Sequence, residues 1–341
     1  MGNQPMQNLP SENEIAAAGQ KLKLLRDALN NVLFGQEELI DQVITGLLAR
    51  GHILLEGLPG LGKTELVKAL GKALLLEARR IQFTPDLLPG DITGNPMLQE
   101  VDGKRVFVFQ KGPLFANLVL ADEINRASPK TQSAMLEAMQ ERRVSAMGEG
   151  HMLPDPFFVL ATQNPIELEG TYPLTEAQLD RFLFKLNVQP GGVAVLERIV
   201  KNRRIGIEPD VPRVWSREEL VSVIDLAARI YMPDVVANYI ARLVAATHPG
   251  QSNAAKLVKY GASPRAAIGL AAAAKARALL SVRMNASFED VQAAAVPVLQ
   301  HRIVLDYQAR LEGQTGAGVV AALVAEIPMQ NRELPVTVEA K

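Results

Sequence analysis

The stretch Gly57-Leu58-Pro59-Gly60-Leu61-Gly62-Lys63-Thr64 follows a short apolar run, His52-Ile53-Leu54-Leu55-Glu56, and opens a helical pattern that reaches Glu77. It fits the phosphate-loop pattern G-x-x-x-x-G-K-[ST]. Glycines let the backbone curl so that several N–H groups point at one set of phosphate oxygens, and the following helix adds its positive N-terminal end. The apolar run stopped by Gly57 reads as a strand buried on both faces in a parallel sheet. The loop therefore lies at a strand-to-helix joint, where this chemistry needs it. Gly57, Leu58, Pro59, Gly60, Leu61, Gly62, Lys63, Thr64 and Glu65 are the expected nucleotide-binding residues. Lys63 is expected to neutralise the β- and γ-phosphates of ATP, and the Thr64 hydroxyl to ligate Mg²⁺.

Strand and helix patterns alternate beyond the loop. Strands are predicted at Arg80–Phe83, Leu118–Ala121, Phe157–Ala161 and Phe182–Val188, with helices at Lys63–Glu77 and Ser128–Arg142 and a short one around Glu176–Leu179. Such alternation predicts an α/β fold, a parallel sheet covered by helices. Upstream, Ile15, Leu22, Leu25, Leu29 and Val32 recur at helical spacing over Glu14–Val32. A second short helix, Val43–Ala49, follows the break at Gly35. Leu98–Gln110, around Asp102-Gly103, and Val144–Met152, around Gly148 and Gly150, lie outside the repeat and read as hairpin insertions. Past Gln189-Pro190-Gly191-Gly192 the strand signals stop. An alanine- and leucine-rich helical pattern then runs to about Glu326, over 193–204, 216–229, 233–247, 264–284, 287–302 and 317–326. The expected organisation is a leader at 1–12, an α/β core at 13–190, an all-α lid at 191–328 and a tail at 329–341.

The 341 residues suffice for two ordinary domains, and 48% hydrophobic against 21% charged residues predicts a large core. With 36 basic and 37 acidic side chains the balance argues against a protein whose main task is gripping nucleic acid. Cysteine is absent, which excludes disulfides and thiolate metal sites. His52, His151, His248 and His301 are scattered without paired ligand spacing, so none is assigned to a metal. No apolar run approaches the roughly 18 residues of a membrane span. Met1–Pro10 lacks the charged and apolar regions of a signal peptide. A cytoplasmic protein is the default expectation.

Leu118-Val119-Leu120-Ala121-Asp122-Glu123 is an apolar strand ending in two acids. Downstream of a phosphate loop, the first acid is expected on the Mg²⁺ side, and the second to orient or deprotonate the attacking water. Phe157–Asn164 is another buried strand with a polar end. Because the C-terminal ends of parallel strands line the ligand crevice, Asn164 is expected to reach the γ-phosphate or the water.

Asp122-Glu123-Ile124-Asn125-Arg126-Ala127, Ala161-Thr162-Gln163-Asn164-Pro165 and the run from Glu169-Gly170-Thr171-Tyr172-Pro173-Leu174 through Thr175-Glu176-Ala177-Gln178-Leu179-Asp180-Arg181-Phe182 resemble the MoxR family of AAA+ ATPases. The resemblance runs from about residue 14 to 327. Thr175 departs from it, standing where proline is expected, with no consequence for the chemistry. The resemblance implies a P-loop AAA+ core followed by a helical lid. It implies that Asn164 is the sensor-1 residue, that Arg181 is an arginine finger reaching a neighbouring subunit's ATP, and that Arg265, opening a lid helix after Ser263-Pro264, is sensor 2. Without the family, Arg181 reads as a surface ion-pair former. Gln36, after Gly35, resembles the segment that lies against adenine, though the pair could be a plain interhelical turn. The hairpins resemble the helix-2 insert and the hairpin before sensor 1, features shared with magnesium-chelatase motor subunits. Both would project toward a ring pore or a ring face.

On this resemblance the chain hydrolyses MgATP as a homo-oligomeric ring. A hexamer is the form expected, with a heptamer or a nucleotide-dependent dimer left open. Sensor 2 would tie nucleotide state to the angle between core and lid through a hinge near 189–192. Three uses of the hydrolysis are open. A chaperone or remodeller would mature or assemble a client complex, often by metal cofactor insertion, with a von Willebrand A domain protein as partner. A nucleic-acid motor is opposed by the balanced charge. In a binding scaffold hydrolysis would be only a timer. The segment Thr84–Asp91 carries no aromatic, so a local tug on the client is expected rather than threading of a whole polypeptide.

Overall fold

The computed structural model describes residues 9–330 apart from 59, 102–103, 165–169 and 205. Most of the expected leader and tail lies outside the described residues, as does the turn at Asp102-Gly103. In chain order the elements begin with α1 (Glu12–Asn30), α2 (Glu37–Leu48), β1 (Ile53–Glu56), α3 (Lys63–Leu74), β2 (Ala78–Gln82) and α4 (Pro89–Thr93). There follow β3 (Gly94–Val101), β4 (Lys104–Lys111), β5 (Leu118–Asp122), α5 (Pro129–Glu141), β6 (Arg143–Ala146), β7 (Glu149–Met152), β8 (Phe158–Gln163), α6 (Glu176–Leu179) and β9 (Phe184–Asn187). The remainder comprises α7 (Val193–Asn202), α8 (Arg217–Arg229), α9 (Asp234–Ala245), β10 (Val258–Tyr260), α10 (Pro264–Leu280), α11 (Phe288–Leu299), β11 (Val304–Leu305), α12 (Tyr307–Leu311) and α13 (Gly316–Glu326).

Five strands make one parallel sheet in the order β2-β5-β8-β1-β9. Its side chains alternate between two apolar layers, as the pleat requires. Ile53 and Leu55, Leu118 and Leu120, and Phe158 and Leu160 enter one cluster; Leu54, Val119, Ala121, Val159 and Ala161 enter the other. Burial on both faces is why these strands read as unbroken apolar runs. The first cluster continues from α1, α2 and α3 into α8–α11 and α13, so the helical part packs on the same side of the sheet and shares its core. Trp215 is fully buried in that seam, and the Val214 and Trp215 N–H groups both donate to Ala73 O on α3. The hinge expected near 189–192 is thus spanned by this packing.

Both expected hairpins form. β3 and β4 pair with Leu98 opposite Phe107, and β6 and β7 with Ser145 opposite Gly150. Met147 and Gly148, both at positive φ, make the second turn. Phe109 stacks on His151 at 4.3 Å between ring centres and ties the two hairpins together.

Three features went unread in the sequence. The helical part contains a two-stranded ribbon, β10 with β11, and the short helix α12; α4 caps the start of β3. Strands of two or three residues and single helical turns are too short to establish a period. Helix ends also shift by a few residues, α2 beginning at Glu37 rather than Val43. Among the described residues no helix is long and apolar enough to cross a membrane.

Candidate active site

The phosphate loop leaves the C-terminal end of β1, and its backbone demands glycine. Gly62 caps α3 at φ 81°, a left-handed conformation that other residues adopt at a cost. A Cβ on Gly57 would stand 2.7 Å from Val188 O. Within the loop Lys63 Nζ donates to Gly57 O at 2.8 Å, which folds the lysine back over the curl. Burial pulls the Lys63 ammonium below the ordinary lysine value, while the Asp122 and Glu123 carboxylates draw it back up.

Those acids stand at the end of β5, next but one to β1 in the sheet. Asp122 Oδ1 accepts a 2.6 Å hydrogen bond from Thr162 on β8, and Oδ2 accepts 2.6 and 3.1 Å bonds from Arg80 on β2. Glu123 has left-handed backbone, φ 57° and ψ 48°, unusual for a residue with a side chain and characteristic of functional turns. Its carboxylate accepts from Gln82 at 2.8 Å and Arg126 at 2.9 Å, and its N–H donates to Thr162 Oγ1 at 2.8 Å.

Gly57, Gly60, Gly62, Lys63, Thr64, Glu65, Asp122, Glu123 and Asn164 line one cavity of about 360 Å³. Thr162 and Arg80 complete its wall. A second cavity of about 590 Å³ adjoins it, sharing Gly60, Gly62 and Glu65. Its wall is largely apolar: Val32, Leu33 and Phe34 after α1, with Val195, Leu196 and Ile199 of α7. Gln36 and Leu61 line this second space, and the Gln36 amide donates to Gln189 O at 3.0 Å. Arg198 and Arg203 lie over the Phe34 ring, and Arg203 also donates to Val32 O at 2.6 Å. Glu208 closes the far side, pairing with Lys68 at 2.9 Å and Lys72 at 2.6 Å. A small phosphate-sized chamber beside a larger apolar one suits a nucleoside polyphosphate.

The expected residues sort clearly. Of the loop, Leu58 is exposed and lines neither cavity, and Pro59 lies outside the described residues. Arg181 and Arg265 are not at this site in their own chain. Arg265 instead pairs with Asp180 at 3.6 Å, beside Arg181. Arg181 is half-buried and forms no ion pair with a described residue. Sequence reading missed Arg80, Thr162 and the apolar wall, because the partners of all three are brought to them only by the tertiary fold. His52 and His301 are buried core residues hydrogen-bonded to Met139 O and Phe182 O.

Thr64 and Asp122 present oxygen donors to one chamber, which suits a hard cation. Among the described residues no cluster of three or more His, Cys, Asp or Glu could hold a metal alone. A cation here would lean on nucleotide phosphates, the usual manner of Mg²⁺.

This sheet, with a phosphate loop on β1 and an acid pair on β5 facing one chamber, defines a nucleotide-binding P-loop ATPase of the AAA+ class, one that hydrolyses ATP. Comparison with known proteins narrows the class. Residues 52–184 match the family model for the ATPase family associated with various cellular activities (AAA), and residues 250–323 match the AAA lid domain. Chaperone MoxR1 of Mycobacterium tuberculosis is 39% identical over 92% of this chain and 85% of its own. YeaC of Bacillus subtilis is 41% identical over 89% and 93%. A crystal structure from Cytophaga hutchinsonii superposes with a TM-score of 0.86 at 38% identity, covering 93% of this chain and 97% of that one. The chain belongs to the MoxR family of AAA+ ATPases.

Proposed function

We propose that the protein is a ring-forming chaperone ATPase whose active site is completed by a neighbouring copy. The observation that carries this reading is the placement of Arg181, half-buried, without an ion-pair partner among the described residues and away from its own chain's phosphate chamber. Arg265 lies on the same edge through Asp180, so both arginines are offered to a neighbour's nucleotide. Sensor 2 then reports the neighbour's state rather than the angle of its own lid.

Within a subunit, adenine fits the apolar chamber and the phosphates fit the smaller one. Lys63 offsets β- and γ-phosphate charge. Glu123 orients water and takes its proton, and Asn164 holds the water or the γ-phosphate. Thr64 and Asp122 would hold Mg²⁺, which supplies charge neutralisation across the phosphates when bound. Catalysis is then mainly positioning and electrostatics.

The name of the Mycobacterium relative supports a chaperone role. The β3–β4 hairpin adds to it: Leu98 and Phe107, 54% and 63% exposed, face each other across the ribbon as an apolar surface for a client. The expected partner is a von Willebrand A domain protein, the expected work the maturation or assembly of a client complex, often by metal insertion, and the expected ring a hexamer in the cytoplasm.

The test is ATPase rate against protein concentration for wild type, Glu123→Gln and Arg181→Ala, with light scattering alongside. Wild-type specific activity should climb as the ring forms. Arg181→Ala should assemble yet lose about 10³-fold or more in turnover. A dilute monomer hydrolysing ATP as fast as the ring, or full turnover in Arg181→Ala, would remove the reading.

A further inference from the structure

The segment that carries Arg181 is held by three consecutive residues of the helical part, Gln300, His301 and Arg302, just past the end of α11. The Arg302 side chain is 3% exposed. All five of its N–H donors are used. Nε donates to Asp180 Oδ1 at 2.8 Å; Nη2 donates to Asp180 O at 3.1 Å and Phe182 O at 2.7 Å. Nη1 donates to Leu183 O at 3.1 Å and to Val298 O at the close of α11. The two carbonyls flanking Arg181 in sequence are therefore bound to one guanidinium.

The neighbours of Arg302 repeat the device. His301 Nε2 lies 3.0 Å from Phe182 O, and since a carbonyl only accepts, that nitrogen carries the hydrogen. Burial holds the ring neutral, with its pKa drawn down to about 3. Gln300 Nε2 donates to Lys185 O at 2.6 Å. On the other side of Asp180, Ser263 Oγ donates to its carboxylate at 3.1 Å, from the residue that caps α10. Two separate elements of the helical part converge on the residue before Arg181.

We infer that Arg302 is a positioning residue for Arg181, fixing the backbone from which that side chain reaches a neighbouring subunit. The inference rests on the trans role proposed for Arg181. Its physical basis is that a buried guanidinium with five satisfied donors tolerates little displacement of its acceptors, because each lost bond strands a charged donor away from water. The 180–183 segment moves with the helical part or not at all. The placement of the finger in one active site is thereby set by the helical part of the subunit next door.

The test uses full-length Arg302→Gln and Arg302→Lys, the second keeping the charge while losing the planar fork. Each is assayed alone and mixed one to one with Glu123→Gln subunits, which keep Arg181 but cannot turn over their own nucleotide. Each variant alone should assemble, bind a fluorescent ADP analogue within about threefold of wild type, and lose about 10²-fold in turnover, a substantial part of what a trans arginine supplies. Mixing should raise turnover at least tenfold over the sum of the two separate preparations, because a Glu123→Gln neighbour lends a correctly placed Arg181. A variant whose loss was merely structural would not be rescued. Wild-type turnover in the Arg302 variants, or an assembled variant that mixing does not rescue, would overturn the inference. The same rescue is required of Asp180→Asn, so the test stands even if position 302 accepts no replacement. Arg181→Ala mixed in the same way separates the two readings: if it is rescued and the Arg302 variants are not, only the clamp fails. If Arg181→Ala is not rescued, the trans role fails and the clamp with it.

Discussion

Thr162 and Asp122 stand at the ends of adjacent parallel strands, and the Thr162 hydroxyl donates to Asp122 Oδ1 at 2.6 Å while accepting the Glu123 N–H at 2.8 Å. One hydroxyl thus sets both acids, the one proposed for the metal side and the one proposed for the water side. Thr162→Val keeps the shape and deletes the link. Turnover should fall about tenfold to a hundredfold, the effect of misplacing a group near the chemistry. A loss of about 1–3 kcal/mol in unfolding free energy should accompany it, from the unsatisfied Glu123 N–H. Steady-state ATPase and chemical denaturation read the two effects; an unchanged rate would show that the acids hold position without Thr162.

Arg80 reaches the other oxygen of Asp122 at 2.6 Å from a strand edge where its side chain is about half exposed. On the metal role proposed for Asp122, it would compete with a cation for the same carboxylate. Arg80→Ala should lower the Mg²⁺ concentration for half-maximal turnover by about twofold to fivefold, the span an exposed ion pair allows. A requirement that rises instead would make Arg80 a ligand-positioning group rather than a competitor.

Burial lowers the pKa of His52 to about 4 and that of His301 to about 3, from an ordinary 6.5. Between pH 6.5 and 4 the unfolded chain binds protons that the folded chain refuses, so stability falls as pH falls through that window. Above pH 7 the two rings contribute no slope. The expected limit is about 1.4 kcal/mol per pH unit for each histidine. Unfolding free energy from pH 8 to 5 should be flat and then decline, and His52→Gln should reduce the decline. A rise in stability on acidification over pH 6.5–5 would contradict both shifts.

Glu208 is held between Lys68 and Lys72 of α3, and these two lysines keep its carboxyl low, at about 2. The contact holds residues 206–209 against α3 at the wall of the apolar chamber. Glu208→Gln should weaken ADP binding by about twofold to fivefold at low salt and less at high salt, since the pairs are exposed. Fluorescence titration at two ionic strengths reads this; equal affinity at low salt would show that the segment holds its place without these charges.

The phosphate chamber was legible in the sequence for a physical reason. A parallel strand buried on both faces must be apolar throughout, and it must stop where a polar ligand begins. Ile53–Glu56, Leu118–Asp122 and Phe158–Gln163 each end where the chemistry starts, so Gly57, Asp122, Glu123 and Asn164 could be ordered around one ligand before any contact was known. Thr162, two residues before Asn164, gave no such signal, because its use depends on the strand beside it. Arg80 and Gln82 were invisible for the same reason: their partners Asp122 and Glu123 are some forty residues away and meet them only through parallel pairing of β2 with β5.

The apolar chamber belonged wholly to the tertiary structure. Its walls come from Val32–Phe34 and from Val195, Leu196, Ile199 and residues 206–209, stretches separated by more than 150 residues, and an apolar side chain at a helix end looks the same whether it meets a core or a base. The arginines make the converse case. The order of residues, through its likeness to a known family, marked Arg181 and Arg265 as chemically used. It could not say that Arg265 would pair with Asp180, or that Arg302 would bind the carbonyls on both sides of Arg181. Sequence order alone determined which strands end in which functional groups, because burial and periodicity are local. Packing alone decided that neither arginine lines its own chain's phosphate chamber, because Asp180 and Phe182 must first be brought within 3 Å of a buried guanidinium some 120 residues further along the chain.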